Sequence, residues 1–180
     1  MPYIFINNII IKLLLILIKM ETTKQKLRNL LDYMLDNPDE NGCYFVDYWD
    51  EKVENPFEWK AVINGPIGTP YEGGYYKLKI SFSENFPTSG PKVVFITKVY
   101  HCNISDTGAI CLNLLKKWNS KTTIDEILKS VYQMMAVQNP DDAYANEEGI
   151  NKGTQYKNNR KEFDRKVREY RDKYARLNQL

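Results

Sequence analysis

The side chains best suited to covalent chemistry are three cysteines, Cys43, Cys102 and Cys111, and a single histidine, His101. A cysteine thiolate attacks carbonyl and phosphoryl groups, often with help from a histidine. The spacing of His101 to the cysteines does not indicate a protease pair. A cysteine phosphatase needs an arginine that closes a short loop on phosphate, whereas Gly108 follows Asp106 and Thr107 here. Neither hydrolytic function is favoured.

Composition argues against several other classes of function. The chain carries 25 Lys plus Arg against 23 Asp plus Glu, so it lacks the basic excess typical of nucleic-acid binding. The glycines of Gly65-Pro66-Ile67-Gly68 are not followed by the lysine and helix of a phosphate-binding loop. Three cysteines without a Cys-x-x-Cys pair indicate a reducing compartment, cytoplasm or nucleus, and neither a structural zinc site nor a disulfide framework.

Cys111 has two interpretations when it is taken alone. It lies between the apolar residues Ile110 and Leu112, and such a cysteine is more often a buried core thiol than a nucleophile. It also lies in an irregular stretch from Val99 to Ser120, which is longer and richer in Asn, Asp and Gly than ordinary turns. Long loops in compact domains usually carry function.

The apolar periodicity predicts the elements that must hold this stretch in place. A period of 3.6 predicts a helix from the capping box Thr22-x-x-Gln25 to Asn37-Pro38, and another from Thr123-x-x-Glu126 to Asn139-Pro140. A period of two predicts strands at 57–63, 76–82 and 93–96, with one more before Trp59, in an antiparallel meander. A last, long amphipathic helix is predicted from the apolar positions Tyr156, Phe163, Val167, Tyr170, Tyr174 and Leu177.

Residues 1–19 form a hydrophobic extension. The apolar run from Ile4 to Ile18 is interrupted by Asn7, Asn8 and Lys12 and is shorter than the roughly 20 residues that span a bilayer. It also lacks the charge order and small-residue cleavage site of a secretory signal. Two interpretations remain: a membrane-associating helix, or a segment outside the working protein because translation starts at Met20. We expect residues 20–180 to form the functional domain.

A series of short motifs then follows in a fixed order, and this order resembles the ubiquitin-conjugating enzymes from about Trp59 to Ala175. The motifs are Asn64-Gly65-Pro66, Thr69-Pro70-Tyr71-Glu72-Gly73-Gly74, Phe86-Pro87, Tyr100-His101-Cys102-Asn103, Ile110-Cys111-Leu112, Trp118 and Asn139-Pro140-Asp141-Asp142. The resemblance implies an α+β fold of the UBC type. That fold has an N-terminal helix, a four-stranded antiparallel meander, an active-site loop and C-terminal helices.

The resemblance also implies the site. Cys111 corresponds to the cysteine that takes ubiquitin as a thioester from the activating enzyme, and Asp142 to an acid that orients the attacking lysine. Asn103 corresponds to an asparagine that either donates to the oxyanion or holds the loop in shape. The implied partners are ubiquitin, the activating enzyme, a ubiquitin ligase and protein substrates. ATP is consumed by the activating enzyme, so neither a cofactor nor a metal is expected on this chain, and a membrane is expected only through residues 1–19.

Departures from the family pattern keep other interpretations open. Cys102 replaces the proline of the family's His-Pro-Asn motif, which loosens the backbone there. Thr88, Gly90 and the segment 119–121 alter regions where relatives contact ligases, so we expect weaker or different ligase pairing. The alternatives are a catalytically weak or inactive ubiquitin-binding adaptor, and a conjugator of a ubiquitin-like modifier such as SUMO.

Overall fold

The computed structural model describes residues 2–50, 55–111, 113–144 and 151–179, so Leu112 of the Ile110-Cys111-Leu112 motif lies outside the described residues. In chain order the elements are α1 (Pro2–Asp36), β1 (Tyr44–Tyr48), β2 (Glu58–Asn64), β3 (Tyr75–Ser81), β4 (Lys92–Phe95), α2 (Asn113–Lys116), α3 (Ile124–Ala136), a 3₁₀ turn (Pro140–Asp142), α4 (Lys152–Asn158), α5 (Arg160–Tyr174) and a final 3₁₀ turn (Leu177–Gln179).

The four strands form one antiparallel sheet in the order β1-β2-β3-β4, which confirms the predicted meander. Residues that pair across neighbouring strands have their side chains on the same face of the sheet, and every second residue of a strand lies on that face. Trp59 and Ala61 of β2 pair with Ile80 and Leu78 of β3, and all four side chains are fully buried. The period of two in the sequence therefore reflects one sheet face that is packed against the core.

Helices α1 and α3 contact the sheet. Leu27 and Leu31 of α1 and Ile127 and Val131 of α3 have no exposed surface. The predicted capping box at the start of α3 is present, because Thr123 accepts from the amide of Glu126 and the Glu126 side chain accepts from Thr123. The α+β architecture expected from the resemblance is confirmed, with a helix before the sheet and helices after it.

The prediction that the first helix begins at Thr22 is wrong. Helix α1 runs without interruption from Pro2, and the Thr22 hydroxyl donates to the carbonyl of Ile18 at 2.8 Å, one turn earlier, instead of capping a helix end. No proline or glycine lies between Pro2 and Pro38 to end the helix sooner. The predicted end is confirmed, since α1 stops at Asp36.

The prediction of one long C-terminal helix is also wrong. The helix is divided into α4 and α5 at Asn159, whose φ of −144° and ψ of 64° are not helical. Its side chain accepts from the amide of Glu162 and begins α5, while its own amide closes α4 on Gln155. Asn159 thus ends one helix and begins the next, while the apolar positions of the sequence pattern continue through both helices.

Residues 9–18 of α1 lie outside the core. Their large apolar side chains from Ile9 to Ile18 are 49% to 61% exposed, whereas Thr23 and Leu27 are buried. Within the described ranges, no helix combines the length and hydropathy needed to cross a membrane.

We predict that a protein starting at Met20 keeps its stability. Residues 9–18 bury no side chain in the core, and the side-chain bonds lost from Lys19 to Asn85 and from Thr22 to the carbonyl of Ile18 are both exposed. The free energy of unfolding in urea is expected to change by less than about 1 kcal/mol. Leu27→Ala, which removes a fully buried side chain, should cost about 2 to 5 kcal/mol as a control. A comparable loss on truncation would contradict this account.

Candidate active site

The loop that carries Cys111 is held by a narrow turn. Antiparallel bridges join Ile104 to Ile110 and Val94 to Ala109. Gly108 lies at a φ of +82°, and a Cβ there would come within 2.0 Å of the Phe95 carbonyl oxygen, so only glycine fits. The chain thereby returns on itself, and the amide of Cys111 donates to the carbonyl of Asn103 at 2.9 Å.

The buried side chain of Asn103 joins this loop to the segment after α3. Its Nδ2 donates to the carbonyls of Asn139 at 2.7 Å and Asp142 at 2.8 Å, and its Oδ1 accepts from the amide of Asn139 at 2.8 Å. The residue is only 2% exposed. Both hydrogens of the amide are therefore already engaged, and we call this set of three bonds the Asn103 clamp.

His101 supports the clamp from the interior. The amide of Asn103 donates to its Nδ1 at 2.9 Å, so the ring hydrogen is on Nε2, which donates to the carbonyl of Met134 at 2.9 Å in the last turn of α3. Burial lowers the pKa of His101 to about 3, although the bond to Met134 acts in the opposite direction. The ring is neutral at physiological pH and has a structural position.

Cys102, which stands in place of the family's proline, is completely buried. Its amide, which a proline would lack, donates to Oε1 of Gln138 at 3.0 Å, and Gln138 in turn donates to the hydroxyl of Tyr71 at 3.0 Å. Burial raises the pKa of the Cys102 thiol to about 11. The additional N–H is thus satisfied, and Cys102 is a core thiol.

A buried lysine holds the other side of the loop. Lys152, at the start of α4, has no exposed surface. Its Nζ donates to the carbonyl of Ile104 at 3.1 Å and to the carboxylate of Asp106 at 2.7 Å, and lies 5.6 Å from the ring centroid of Tyr100. Because a buried ammonium is stable only with such partners, this ion pair fixes the turn that precedes Cys111.

Cys111 itself meets two charged side chains at the surface. Its Sγ donates to Oδ2 of Asp142 at 2.7 Å and accepts from Nζ of Lys116 at 2.9 Å, while Lys116 and Asp142 lie 3.6 Å apart. Burial and the bond to Asp142 raise the pKa of the Cys111 thiol, and Lys116 opposes them. The bond to Cys111 and the charge of Lys116 lower the pKa of Asp142. The cluster therefore holds a thiol, a carboxylate and an ammonium.

A groove of about 680 Å³ opens beside this cluster. Its lining comes from the Asn103 clamp, from Cys111 and Asp142, and from residues in α3 and directly after it, including Gln133 and Val137. Cys111 is half-buried and faces this groove. A flexible polypeptide end can reach the thiol without a change in the fold.

The structure brings together all three residues that the resemblance singled out, Cys111, Asn103 and Asp142. Sequence reasoning missed Lys116 and Lys152. The spacing of Lys116, five residues after Cys111, was the available signal for the first. The burial of Lys152 has no sequence signal, because a lysine in a polar segment is ordinarily exposed. In the described parts of the chain, no group of three or more His, Cys, Asp or Glu side chains is arranged to hold a metal ion.

Comparison with known proteins places this arrangement in a family. A family model described as ubiquitin-conjugating enzyme matches residues 26–171. The chain belongs to the ubiquitin-conjugating enzyme family. It is 43% identical over 126 residues to the probable ubiquitin-conjugating enzyme E2 31 of Arabidopsis thaliana, which covers 69% of this chain and 79% of that relative. The crystal structure of a putative ubiquitin conjugating enzyme from Plasmodium yoelii superposes with a TM-score of 0.73 at 33% identity, covering 84% of this chain and 94% of that one.

Membership in the family explains why the motifs occur in this order. The hydrogen bonds show what several of the motifs contribute to the loop that carries Cys111 in this ubiquitin-conjugating enzyme. The Tyr71 hydroxyl of the Thr69–Gly74 motif supports Gln138 and donates to the carbonyl of Tyr100 at 2.8 Å. Residues 100–103 are all buried, and the side chain of Asn103 donates to the backbone carbonyls of Asn139 and Asp142. The motifs therefore mark one continuous network around the loop.

We predict that acid destabilises the enzyme through His101. The unfolded histidine takes up a proton near its ordinary pKa of 6.5, whereas the folded one does so only at about 3, so stability is lost as the pH falls below about 6.5. Between pH 7 and pH 5 the free energy of unfolding in urea should fall by about 2 kcal/mol from this group. His101 is the single histidine, so His101→Gln should flatten this slope. Equal slopes for both proteins would contradict the assignment.

We predict that Asn103→Ala destabilises the fold as well as the site. The substitution removes the three side-chain bonds of the clamp and leaves the amide of Asn139 and the carbonyls of Asn139 and Asp142 without this partner. The free energy of unfolding should fall by about 2 kcal/mol or more, measured by urea denaturation. Asn158→Ala, at an exposed position at the end of α4, should change it by less than about 0.5 kcal/mol. An unchanged stability for Asn103→Ala would remove the structural role.

Proposed function

We propose that this chain accepts activated ubiquitin from the ubiquitin-activating enzyme as a thioester on Cys111. It then passes ubiquitin to a lysine of a protein substrate or to a ligase cysteine. ATP is consumed by the activating enzyme, so the chain itself needs no cofactor. The observation that supports the proposal most strongly is a half-buried thiol that faces an open groove and contacts a carboxylate.

The other cysteines are less suited to the role. Cys102 has no exposed surface, and its Sγ donates to the carbonyl of Lys152 at 3.6 Å. Cys43 lies just before β1, where burial and the carboxylate of Asp39 raise the pKa of its thiol. Cys111 alone among the three lines the groove described above.

Loading does not require a strongly activated thiolate. The pKa of Cys111 is raised, so most of the group is a thiol at neutral pH. Exchange with a thioester still proceeds through the small thiolate fraction when the partner holds its acyl carbon in place. Lys116, at 2.9 Å from Sγ, is positioned to stabilise the thiolate that forms. The activating enzyme thus supplies the energy and the orientation.

Transfer to a lysine places a different demand on the site. With an ordinary pKa of about 10.4, a lysine amine is almost entirely protonated at neutral pH. Asp142 stays ionised, since its bond to Cys111 and the charge of Lys116 lower its pKa. We propose that it accepts a hydrogen bond from the incoming amine, orients it and takes its proton. Desolvation on docking must supply any lowering of the lysine pKa, because a carboxylate alone raises it.

For Asn103 we propose the role of holding the loop. Both Nδ2 hydrogens are donated to backbone carbonyls, so donation to an oxyanion would require breaking one of these bonds. The clamp instead sets the distance between Cys111 and Asp142. Transfer is then supported by a rigid site rather than by a free amide.

The ligase would contact the surface where the loop between β3 and β4 meets the loop between α2 and α3. Trp118 donates to the carbonyl of Pro87 at 2.9 Å, and its ring lies 6.0 Å from that of Phe86. A Cβ on Gly90 would come within 2.6 Å of Trp118, so this glycine lets the two loops meet. We propose this joined surface as the ligase contact, with a shape that Gly90 and Trp118 determine.

We predict that incubation with activating enzyme, ATP and ubiquitin gives an adduct that a thiol reductant cleaves. Cys111→Ala should abolish it, because the attacking sulfur is lost. Cys102→Ala and Cys43→Ala should keep it, since those thiols lie away from the groove. The products are separated by gel electrophoresis with and without reductant.

Three outcomes would contradict this proposal in different ways. An adduct that persists in Cys111→Ala would assign the thioester to another residue. The absence of any adduct with ubiquitin, when a parallel reaction with SUMO and its own activating enzyme gives one, would show a different modifier. No adduct with either would favour a non-catalytic adaptor.

A further inference from the structure

Residues 9–18 of α1 present an uncovered apolar surface to water. Nine of these ten residues are Ile or Leu, each 49% to 61% exposed, and Lys12 is the single polar residue among them. A surface helix of a globular domain normally turns an apolar stripe toward the core and a broad polar face toward water. Here the proportions are reversed, so the segment needs an apolar environment that the rest of the domain does not provide.

The lysines of this part of α1 lie along one line. Lys12, Lys19 and Lys26 are seven residues apart, and seven residues fall about 20° short of two full helical turns. All three side chains are exposed. They form a narrow lysine stripe, and apolar residues cover the rest of the helix circumference over residues 9–18. No Asp or Glu precedes Glu21, so this end of the stripe carries positive charge alone.

The shape of this surface fits lipid better than a protein partner. A second helix, or a groove on another protein, covers one side of a helix and selects an apolar stripe on that side. Lipid chains can surround a helix, and apolar residues around most of the circumference are typical of a membrane environment. Ten helical residues extend about 15 Å, which is half of the roughly 30 Å hydrocarbon core of a bilayer. The apolar segment therefore matches the depth of one leaflet.

We propose that residues 9–18 insert into one leaflet of a membrane that contains anionic lipid. The Ile and Leu side chains enter the hydrocarbon region. The apolar stems of Lys12 and Lys19 lie at its edge, while their ammonium groups reach the lipid head groups. Positive charge next to a negatively charged membrane surface strengthens such binding. This step is independent of the thioester proposed on Cys111.

The inserted segment is joined to the rest of the domain without a linker. Helix α1 is continuous from Pro2 to Asp36. Where it meets the domain, Lys19 donates to Asn85 at 2.7 Å, and the buried Thr23 donates to the carbonyl of Glu84 at 3.1 Å. Insertion therefore holds the domain directly beside the bilayer. Together with the proposed function, this favours ubiquitin transfer to substrates at the membrane surface.

The test is co-sedimentation of the full chain with vesicles of phosphatidylcholine and phosphatidylserine in about a two-to-one ratio. We expect the full chain to sediment with the vesicles, and a chain that starts at Met20 to bind at least tenfold less. Replacing both Lys12→Gln and Lys19→Gln should lower binding to these vesicles several-fold. Binding to vesicles of phosphatidylcholine alone should stay the same in that double variant, because only the charge is removed.

Two further variants form a matched pair on the same helix. Leu14 is 52% exposed and Leu35 is 46% exposed, and both lie in α1. A glutamate at either exposed position should leave the domain folded, as circular dichroism can verify. Leu14→Glu places a charge in the inserted segment and should lower vesicle binding at least tenfold. Leu35→Glu adds the same charge outside that segment and should bind as the wild type does.

Several results would overturn the inference. Equal sedimentation of the full chain and the chain that starts at Met20 would place the contact elsewhere, and an equal loss in Leu14→Glu and Leu35→Glu would show a non-specific effect. A dimer that requires residues 9–18, found by sedimentation velocity in a protein that ignores vesicles, would assign the segment to a second copy. An intact mass that begins at Met20 in the protein isolated from cells would remove the segment. Failure of Cys111 to form a thioester would overturn the proposed function alone, since vesicle binding does not use that residue.

Discussion

The side-chain amide of Asn103 bonds to the backbone of Asn139 and Asp142, which lie 36 and 39 residues later in the chain. Its own backbone carbonyl receives the amide of Cys111, so one buried residue fixes the sulfur on one side and Asp142 on the other. Each of these bonds is worth only about 1 kcal/mol net, but breaking any of them leaves a buried polar group unpaired. The geometry of the site depends on this cost more than on the strength of any surface contact.

Two buried side chains of types common in catalysis, His101 and Lys152, have structural roles in the loop that carries Asn103 and Cys111. His101 stays neutral because burial lowers its pKa to about 3, and it links Asn103 to the end of α3. Lys152 is completely buried and forms an ion pair with Asp106 in the turn before Cys111. Cys102 departs from the family's proline, and Gln138 satisfies the N–H that this change introduces. The substitution therefore changes the bonding of the loop without exposing a second thiol.

The regular elements of the core were predictable because their signals are local. The alternation of apolar and polar residues predicted β2 and β3, and a capping box predicted the start of α3. The resemblance singled out Cys111, Asn103 and Asp142, which the fold brings together. The hydrogen-bond partner of a polar side chain could not be predicted where several were possible. Thr22 bonds within α1 instead of starting it, and Asn159 divides the C-terminal helix. The positions of Lys116 and Lys152 depend on contacts that only the folded chain creates.

The Asn103 clamp holds the backbone of Asp142, and the carboxylate of Asp142 thereby lies against the Cys111 thiol. The most direct measurement is the pH dependence of alkylation of Cys111, followed by peptide mass spectrometry so that the other two thiols do not interfere. We expect a thiol pKa above the ordinary value in the wild type, because burial and the carboxylate both raise it. We expect a lower value in Asp142→Asn, and a similar decrease in Asn103→Ala, in which the carboxylate is no longer held. The same thiol pKa in all three proteins would contradict the clamp.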